Sequence, residues 1–362
     1  MVMQAKTKTI MLLVTYKCNL HCSYCYEPKS SFFQMNAEKM KESIMCQVSC
    51  LGEDYESFEV QFMGGEPLLV FPLIQEVSEW LWAQSFQKKM RTLFAPTNGT
   101  LLNEEMKDWL VKNKSRFCLG LSFDGNNLMQ DTNRSDSFHN IDIGFFSSTW
   151  PEQSVKMTLS PDTIGTFVAG ITYLGEQGFK EVTADLAMGE NVIWKKQHLV
   201  ILKEQLDKLV NLYVDGITLP KLSMLSLEIE KVLETPPVKK SCSCGEQMVC
   251  IDFDGKQYAC HLFSPIACNR DKALKSQEYD FASYDQFVSA SCNNCSLLNL
   301  CNRCAGMSYL CSNDLSTQSA FHCNAFKIIY LANCKLQFQL AIKEGNDNRT
   351  SYIKKLVDSF KL

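Results

Sequence analysis

Residues 17–28 read KCNLHCSYCYEP, which puts Cys18, Cys22 and Cys25 on one short loop in a Cys-x3-Cys-x2-Cys spacing with no fourth ligand nearby. Structural zinc closes its tetrahedron with four ligands, whereas a 4Fe-4S cube held by three thiolates leaves one iron open to a small molecule. An open iron implies chemistry rather than a staple.

The chain has 362 residues, enough for about two domains of ~100–200 residues each. Its 46% hydrophobic content supports a sizeable core, and its net charge of −4 carries no global basic footprint, so nucleic acid is not an expected partner. The apolar run Ile10 to Val14 is too short for a signal core or a membrane span, and no small-residue cleavage site follows it. It reads as a buried strand in a cytoplasmic protein without membrane contact. Eighteen cysteines without a secretory signal point to metal ligation in a reducing compartment rather than to disulfides. Exposed low-potential clusters are oxygen-sensitive, which suits an anaerobic host.

From Thr9 to about Val214, short β-branched or apolar runs alternate with amphipathic stretches, the signature of repeated βα units and a parallel sheet. The pattern predicts strands at 9–15, 57–63, 91–97, 116–123, 154–160 and 180–187. Helices are predicted at 36–50, 70–86, 103–113, 163–177 and 195–214. Six such units suit a partial (β/α)6 barrel in an α/β fold, with functional groups at the C-terminal strand ends. The motifs follow that rule: the cysteine loop comes after the first strand, GGEP after the second, TNGT after the third, SFDG after the fourth and TLSP after the fifth.

Two prolines in TPPVKKSCSC break the helical pattern near residues 235–245 and open a region with eleven cysteines between Cys242 and Cys323. The expected organisation is a core over 1–235, a small cysteine-rich domain with a closing helix over 236–345, and a tail over 346–362. Cys292, Cys295, Cys301 and Cys304 read Cys-x2-Cys-x5-Cys-x2-Cys. Paired CxxC knuckles also suit zinc, but zinc ribbons separate their knuckles by about 15–20 residues, so the spacing favours iron and sulfur. Cys46, Cys50, Cys118, Cys268, Cys311 and Cys334 have no motif support and are expected to be small buried hydrophobes, with Cys268 and Cys311 near enough to the other cysteines to be spare ligands.

FMGGEPL at 62–68 pairs two glycines, which admit a close approach of backbone to ligand, with a carboxylate that can accept from an ammonium group. An ordinary strand-to-helix turn is the plainer reading of Gly-Gly. The five histidines form no spaced metal or nucleophile set; His21, His261 and His322 neighbour predicted ligands and suit supporting roles. Asp185 and Glu190 end the sixth unit's strand region, where a base, a substrate contact and a solvated charge are all open.

Taken together, the cysteine loop with Tyr24 between its second and third cysteines, the GGEP turn and the strand-end motifs resemble the radical S-adenosylmethionine (SAM) superfamily. In that family the open iron binds the amino and carboxylate groups of SAM, and reductive cleavage gives methionine and a 5′-deoxyadenosyl radical. The resemblance assigns Gly64, Gly65 and Glu66 to the SAM amino group. Ser122, Asp124 and Arg134 fall in a SxDG…D..R run used around the carboxylate and ribose, although Asp-Gly is also a common turn. Thr97, Asn98, Thr158 and Ser160 stand where strand-end polar groups reach a ribose, with loop hydrogen bonding as the equal alternative. Tyr24 suits either adenine or the cluster loop.

The second cysteine region resembles the SPASM domain, the auxiliary-cluster module of peptide-modifying members, with one departure: the last gap of the Cys292 run is two residues rather than three. The resemblance assigns Cys244, Cys260 and Cys304, with Cys242 or Cys250, to one auxiliary cluster. Cys292, Cys295, Cys301 and Cys323 form the other. It implies a peptide maturase that abstracts hydrogen from a residue of a ribosomally made precursor, giving a crosslink, thioether or epimerised centre. Implied cofactors are 4Fe-4S clusters and SAM, with a flavodoxin- or ferredoxin-type reductant. An anaerobic sulfatase maturase, which oxidises cysteine or serine of a sulfatase polypeptide to formylglycine, shares both modules. A catalytically silent iron-sulfur carrier or peptide-binding protein is the alternative from another class. With 17 residues before Cys18, leader recognition is expected to need a separate protein or the barrel itself.

Overall fold

The computed structural model describes residues 6–27, 33–235 and 240–358. In chain order the first elements are β1 (Lys6–Thr15), α1 (Ala37–Ser49), β2 (Tyr55–Gly64), α2 (Phe71–Trp82), β3 (Lys89–Met90), β4 (Leu93–Thr97), α3 (Glu104–Asn113) and β5 (Phe117–Leu121). Then come α4 (Asn127–Asn133), α5 (Ile143–Thr149), β6 (Val155–Leu159), α6 (Phe167–Glu176), β7 (Glu181–Leu186), α7 (Lys196–Val214) and β8 (Lys221–Leu222). The cysteine-rich part adds β9 (Met248–Ile251), β10 (Gln257–Tyr258), α8 (Arg270–Lys275), α9 (Ala305–Ser312), α10 (Ala320–Lys343) and α11 (Asp347–Asp358). All six strands and all five core helices expected from the periodicity form within a few residues of their predicted bounds.

Contacts gather the chain into two compact units, one holding residues up to Ser122 with His139–Trp150 and Cys242–Tyr284, the other the remainder. The first unit is built on a sheet of order β10-β9-β1-β2-β4-β5, with β3 also on β2. β1, β2, β4 and β5 run parallel. Ile10 to Val14 lie at 0–7% exposure because β1 has a neighbour on each edge and cover on each face, which is why this run is continuously apolar rather than alternating. Asn36 and Asn103 cap α1 and α3, their side-chain oxygens accepting from Lys39 N–H (2.8 Å) and Met106 N–H (2.9 Å). The second unit contains the parallel sheet β6-β7-β8. Its helix α6 lies so near the turn after Phe123 that a Cβ on Gly125 would come within 2.9 Å of the Gly170 Cα. Among the described residues the strands belong to these two sheets and no closed barrel is present.

The periodicity did not anticipate two features. The boundary expected at 235/236 abuts residues outside the described set, and just past it MVCI forms β9, parallel to β1 in the register Thr9–Leu12 against Met248–Ile251. Its apolar run is short and sits among cysteines, whose spacing dominates any reading of that stretch. The expected tail over 346–362 contains α11, because Ile353 and Leu356, one turn apart, are buried in a cluster with Ile229, Leu297, Tyr330 and Cys334. Leu356→Ala should therefore cost about 2–5 kcal/mol, the range for a buried leucine truncated to alanine. A lower urea midpoint in the far-ultraviolet signal would register it; an unchanged midpoint would mean that the helix adds nothing to this core.

Candidate active site

The loop carrying Cys18, Cys22 and Cys25 leaves the C-terminal end of β1, and all three thiols are half-buried. Cys25 N–H donates to Cys22 O at 3.1 Å, folding the Cys-x2-Cys segment into a turn. The loop is fastened from several directions within the first unit. Gly65 N–H donates to Thr15 O (2.9 Å) and Glu66 N–H to Lys17 O (2.8 Å). Asn98 Nδ2 donates to Asn19 Oδ1 (2.9 Å), and Asn19 Nδ2 to Thr100 Oγ1 (2.8 Å). Tyr16 Oη donates to Asp252 Oδ1 at 2.5 Å, and the Tyr26 ring lies 5.8 Å from that of His261. Burial first, then the Asp252 bond, raises the Tyr16 phenol well above its ordinary pKa; burial likewise raises Asp252.

The two glycines of GGEP serve this fastening. Gly64 has φ +147°, and a Cβ there would stand 2.1 Å from Thr15 O; one on Gly65 would stand 2.3 Å from Lys17 O. The close approach they permit is to the chain's own backbone beside Cys18. Glu66 is 1% exposed, and its carboxylate accepts from Leu68 N–H (3.0 Å), Thr97 Oγ1 (2.8 Å) and Asn98 N–H (2.8 Å). Ser122 N–H donates to Thr97 O at 2.8 Å, tying the end of β5 to that of β4. Gly64, Gly65, Glu66, Thr97, Asn98 and Ser122 thus gather at the C-terminal ends of adjacent strands, and half-buried Tyr24 lies in the cysteine loop. Asn19 and Tyr16 were not singled out from the sequence. Asn19 stands between two cysteines and Tyr16 before the first, positions whose only sequence signal is proximity.

In the second unit, Asp124 is fully buried and takes an ion pair from Arg134 Nη2 (3.1 Å) with hydrogen bonds from Asn133 Nδ2 (3.0 Å) and Thr158 N–H (2.9 Å). Asp124 and Arg134 therefore meet each other, stitching the turn after β5 to β6. Ser160 Oγ lies 3.2 Å from Thr163 Oγ1, the loop-bonding arrangement weighed for it. Asp185 pairs with Lys156 at the surface, and Glu190 is exposed.

The auxiliary cysteines also fall into sets. In the first unit Cys242 Sγ and Cys244 Sγ are 3.3 Å apart, whereas Cys250 is wholly buried in β9. Burial, with Cys260 and Asp252 adding, raises the Cys250 thiol well above its ordinary pKa. In the second unit burial pushes the Cys301 thiol up to about 11, with Cys323, Cys295 and Cys292 adding to the shift. Those four thiols thus share one neighbourhood, and a Cys295 N–H to Cys292 O bond of 3.0 Å closes their Cys-x2-Cys turn. Cys304 caps the N-terminus of α9, and Cys323 lies in the first turns of α10. No group of three or more His, Cys, Asp or Glu side chains among the described residues is arranged to hold a single metal ion. Cys46, Cys50 and Cys311 are exposed, correcting the expectation that they are buried, because they lie on the outer faces of α1 and α9 or at their ends; Cys118 is half-buried, and Cys268 and Cys334 are buried as expected.

Beside the second unit's cysteines is a pocket of about 320 Å³ past the end of β7. Met188 and Trp194, Met307 from α9, and Phe321 and His322 from α10 line it. Trp194 stacks on Phe321 at 4.6 Å and donates through Nε1 to Ala187 O at 2.8 Å, holding this wall in place.

Residues 12–142 match the family model described as the radical SAM superfamily. Those residues carry a radical SAM domain. A cysteine-type anaerobic sulfatase-maturating enzyme of Clostridium perfringens is 23% identical over 344 residues, covering 86% of this chain and 91% of that protein. Among solved structures, native anSMEcpe with bound AdoMet and Cp18Cys peptide superposes with a TM-score of 0.67 at 20% identity over 96% of this chain and 99% of that one. Streptococcus suis SuiB bound to precursor peptide SuiA gives 0.57 at 15% identity over 87% and 76%. This is a radical SAM enzyme fold, and the family works with a 4Fe-4S cluster and SAM. No helix among the described residues is long and apolar enough to cross a membrane.

Gly65→Ala should force the Lys17 carbonyl away and disorder the radical SAM cysteine loop, lowering iron by about four atoms per chain and removing SAM binding. Iron analysis and equilibrium dialysis check both. Full iron and unaltered SAM affinity would mean that the backbone contact does not support the site.

Proposed function

We propose that this chain is a radical SAM peptide maturase that removes a hydrogen atom from a residue of a ribosomally made precursor peptide. Cys18, Cys22 and Cys25 would hold the SAM-binding cluster; three half-buried thiols on one loop, braced by backbone bonds, fit that donor set. The bound cluster and SAM together supply the 5′-deoxyadenosyl radical that takes the hydrogen. Glu66, oriented by its three donors, would accept from the SAM amino group. Thr97 and Asn98 hold Glu66 in place, and Ser122 lies at the adjoining strand end. The buried Asp124 and Arg134 would position the turn that carries Ser122's neighbours, with Thr158 as their backbone partner.

The observation that carries the peptide assignment is the gathering of Cys292, Cys295, Cys301 and Cys323 in the unit that also holds the β7 pocket. Helices α9 and α10, which begin at or beside cysteines of this region, both supply walls of that pocket. A side chain lodged there would lie close to an auxiliary cluster able to take up an electron. Cys244 and Cys260 would serve a second auxiliary cluster, and the 3.3 Å contact with Cys244 favours Cys242 over the strand-buried Cys250 as a further ligand. A flavodoxin- or ferredoxin-type protein would supply the reducing electron, and a separate leader-binding protein would serve recognition. Sulfatase maturation is the second reading, favoured by the near full-length correspondence with the Clostridium perfringens enzyme.

Reconstituted enzyme, dithionite and SAM should change the mass or Cα configuration of a short peptide encoded beside its gene. A sulfatase-motif peptide should emerge without the hydrazine-reactive aldehyde of formylglycine; its appearance would reverse the ranking. Cys301→Ala should lose about four irons per chain and retain the SAM-site cluster. Unchanged iron in that variant would remove Cys301 from the ligand set.

A further inference from the structure

At the N-terminal ends of β3, β4 and β5, away from the cysteine loop, the first unit has a groove of about 560 Å³. It is lined by Lys89, Arg91 and Arg116, with Glu59 as its one carboxylate, and by Trp82, Thr92 and Ser115. The cations come from the stretches KKMR (88–91) and KNKSR (112–116), in a chain whose net charge is −4. Some lysines elsewhere meet carboxylates, as Lys6 meets Asp54 and Lys41 meets Glu76. None of Lys89, Arg91 and Arg116 makes an ion pair among the described residues.

Both arginines are held in position. Arg91 Nε donates to Ser57 Oγ at 3.0 Å, and that serine is itself 2.8 Å from Thr7 Oγ1. Arg116 Nη2 donates to Asn113 Oδ1 at 2.6 Å, and its guanidinium lies 3.9 Å over the Trp82 ring. Trp82 in turn stacks on Trp109 with ring centroids 5.5 Å apart. A guanidinium stacked on a fixed indole and tethered by one nitrogen loses little freedom when its remaining donors engage an anion. Glu59 accepts from Gln61 Nε2 and keeps its single negative charge, so the three cations still outnumber it in the groove.

We propose that this groove docks an acidic segment of the polypeptide substrate, with Arg91 and Arg116 gripping side-chain carboxylates and Lys89 adding charge. The inference rests on the peptide-maturase reading for the identity of its occupant. Planar forks match carboxylates in two places at once. A groove of this volume takes several residues, and three cations on an otherwise acidic chain suit a short acidic run rather than a long polyanion. β4 connects the groove to Thr97 and Asn98 over five residues, about 17 Å. The acidic run therefore lies no closer than about five residues to the residue that reacts.

The probe is fluorescein-labelled hexaglutamate, with hexaglutamine as control, titrated into the full-length, cluster-loaded protein and followed by anisotropy. Hexaglutamate should bind at low salt and weaken as salt rises, and hexaglutamine should not bind. The double variant Arg91→Gln/Arg116→Gln should weaken binding at least about tenfold, with iron content and circular dichroism unchanged. Lys89→Gln, whose side chain makes no hydrogen bond that the fold needs, should weaken it by a smaller factor and decides the matter if the double variant misfolds. Equal affinity in these variants overturns the proposal, as does a groove that ignores hexaglutamate and binds pyrophosphate or ATP. Hexaglutamate binding that depends on the arginines, in a protein that modifies no peptide, would instead keep the groove and sink the maturase reading.

Discussion

Two backbone hydrogen bonds, from Gly65 N–H to Thr15 O and from Glu66 N–H to Lys17 O, hold the cysteine loop against the turn that follows β2. They form only because residues 64 and 65 lack side chains; any Cβ would lie inside the van der Waals shell of the facing carbonyl. Everything at the strand ends builds on this contact. It aims Glu66 inward, where Thr97 and Asn98 complete its hydrogen bonds, and Asn98 returns to the loop through Asn19. A loop of mobile thiols could not present three ligands to one cluster at a fixed spacing. The bonds convert it into a preorganised rim.

The same loop is tied to the cysteine-rich segment inside the first unit. β9 lies parallel to β1, and Tyr16, the residue between β1 and the loop, is bonded to Asp252 just past β9. The stretch that supplies Cys244 and Cys260 thus shares a sheet with the strand that delivers Cys18. Substituting the buried Asp252 would leave the Tyr16 hydroxyl without its acceptor, a cost carried by the loop as well as by the strand.

Much of this was legible in the sequence because two periodicities are strong. β1 is a run of β-branched and apolar residues, α3 has an asparagine cap and an acidic first turn, and both appear where the pattern puts them. The gathering of GGEP, TNGT and LSFDG at strand ends follows from parallel topology alone. Less legible were partnerships. Nothing in the spacing of Asp124 and Arg134 says that they neutralise each other, since one precedes α4 and the other follows it. Nor does it show that the glycines of GGEP make room for backbone. α11 escaped notice because two apolar residues in a charged stretch are too few to distinguish a packed helix from a solvated tail.

The account turns on one claim, that the loop braced by Gly65 and Glu66 brings a cluster and SAM into reacting contact. Anaerobic single-turnover assays with dithionite, SAM and the fully iron-loaded protein measure it directly by chromatography of the nucleoside product. The account predicts 5′-deoxyadenosine and methionine in equal amounts, dependent on the reductant. A protein with its full complement of iron that binds SAM and never yields 5′-deoxyadenosine would contradict it.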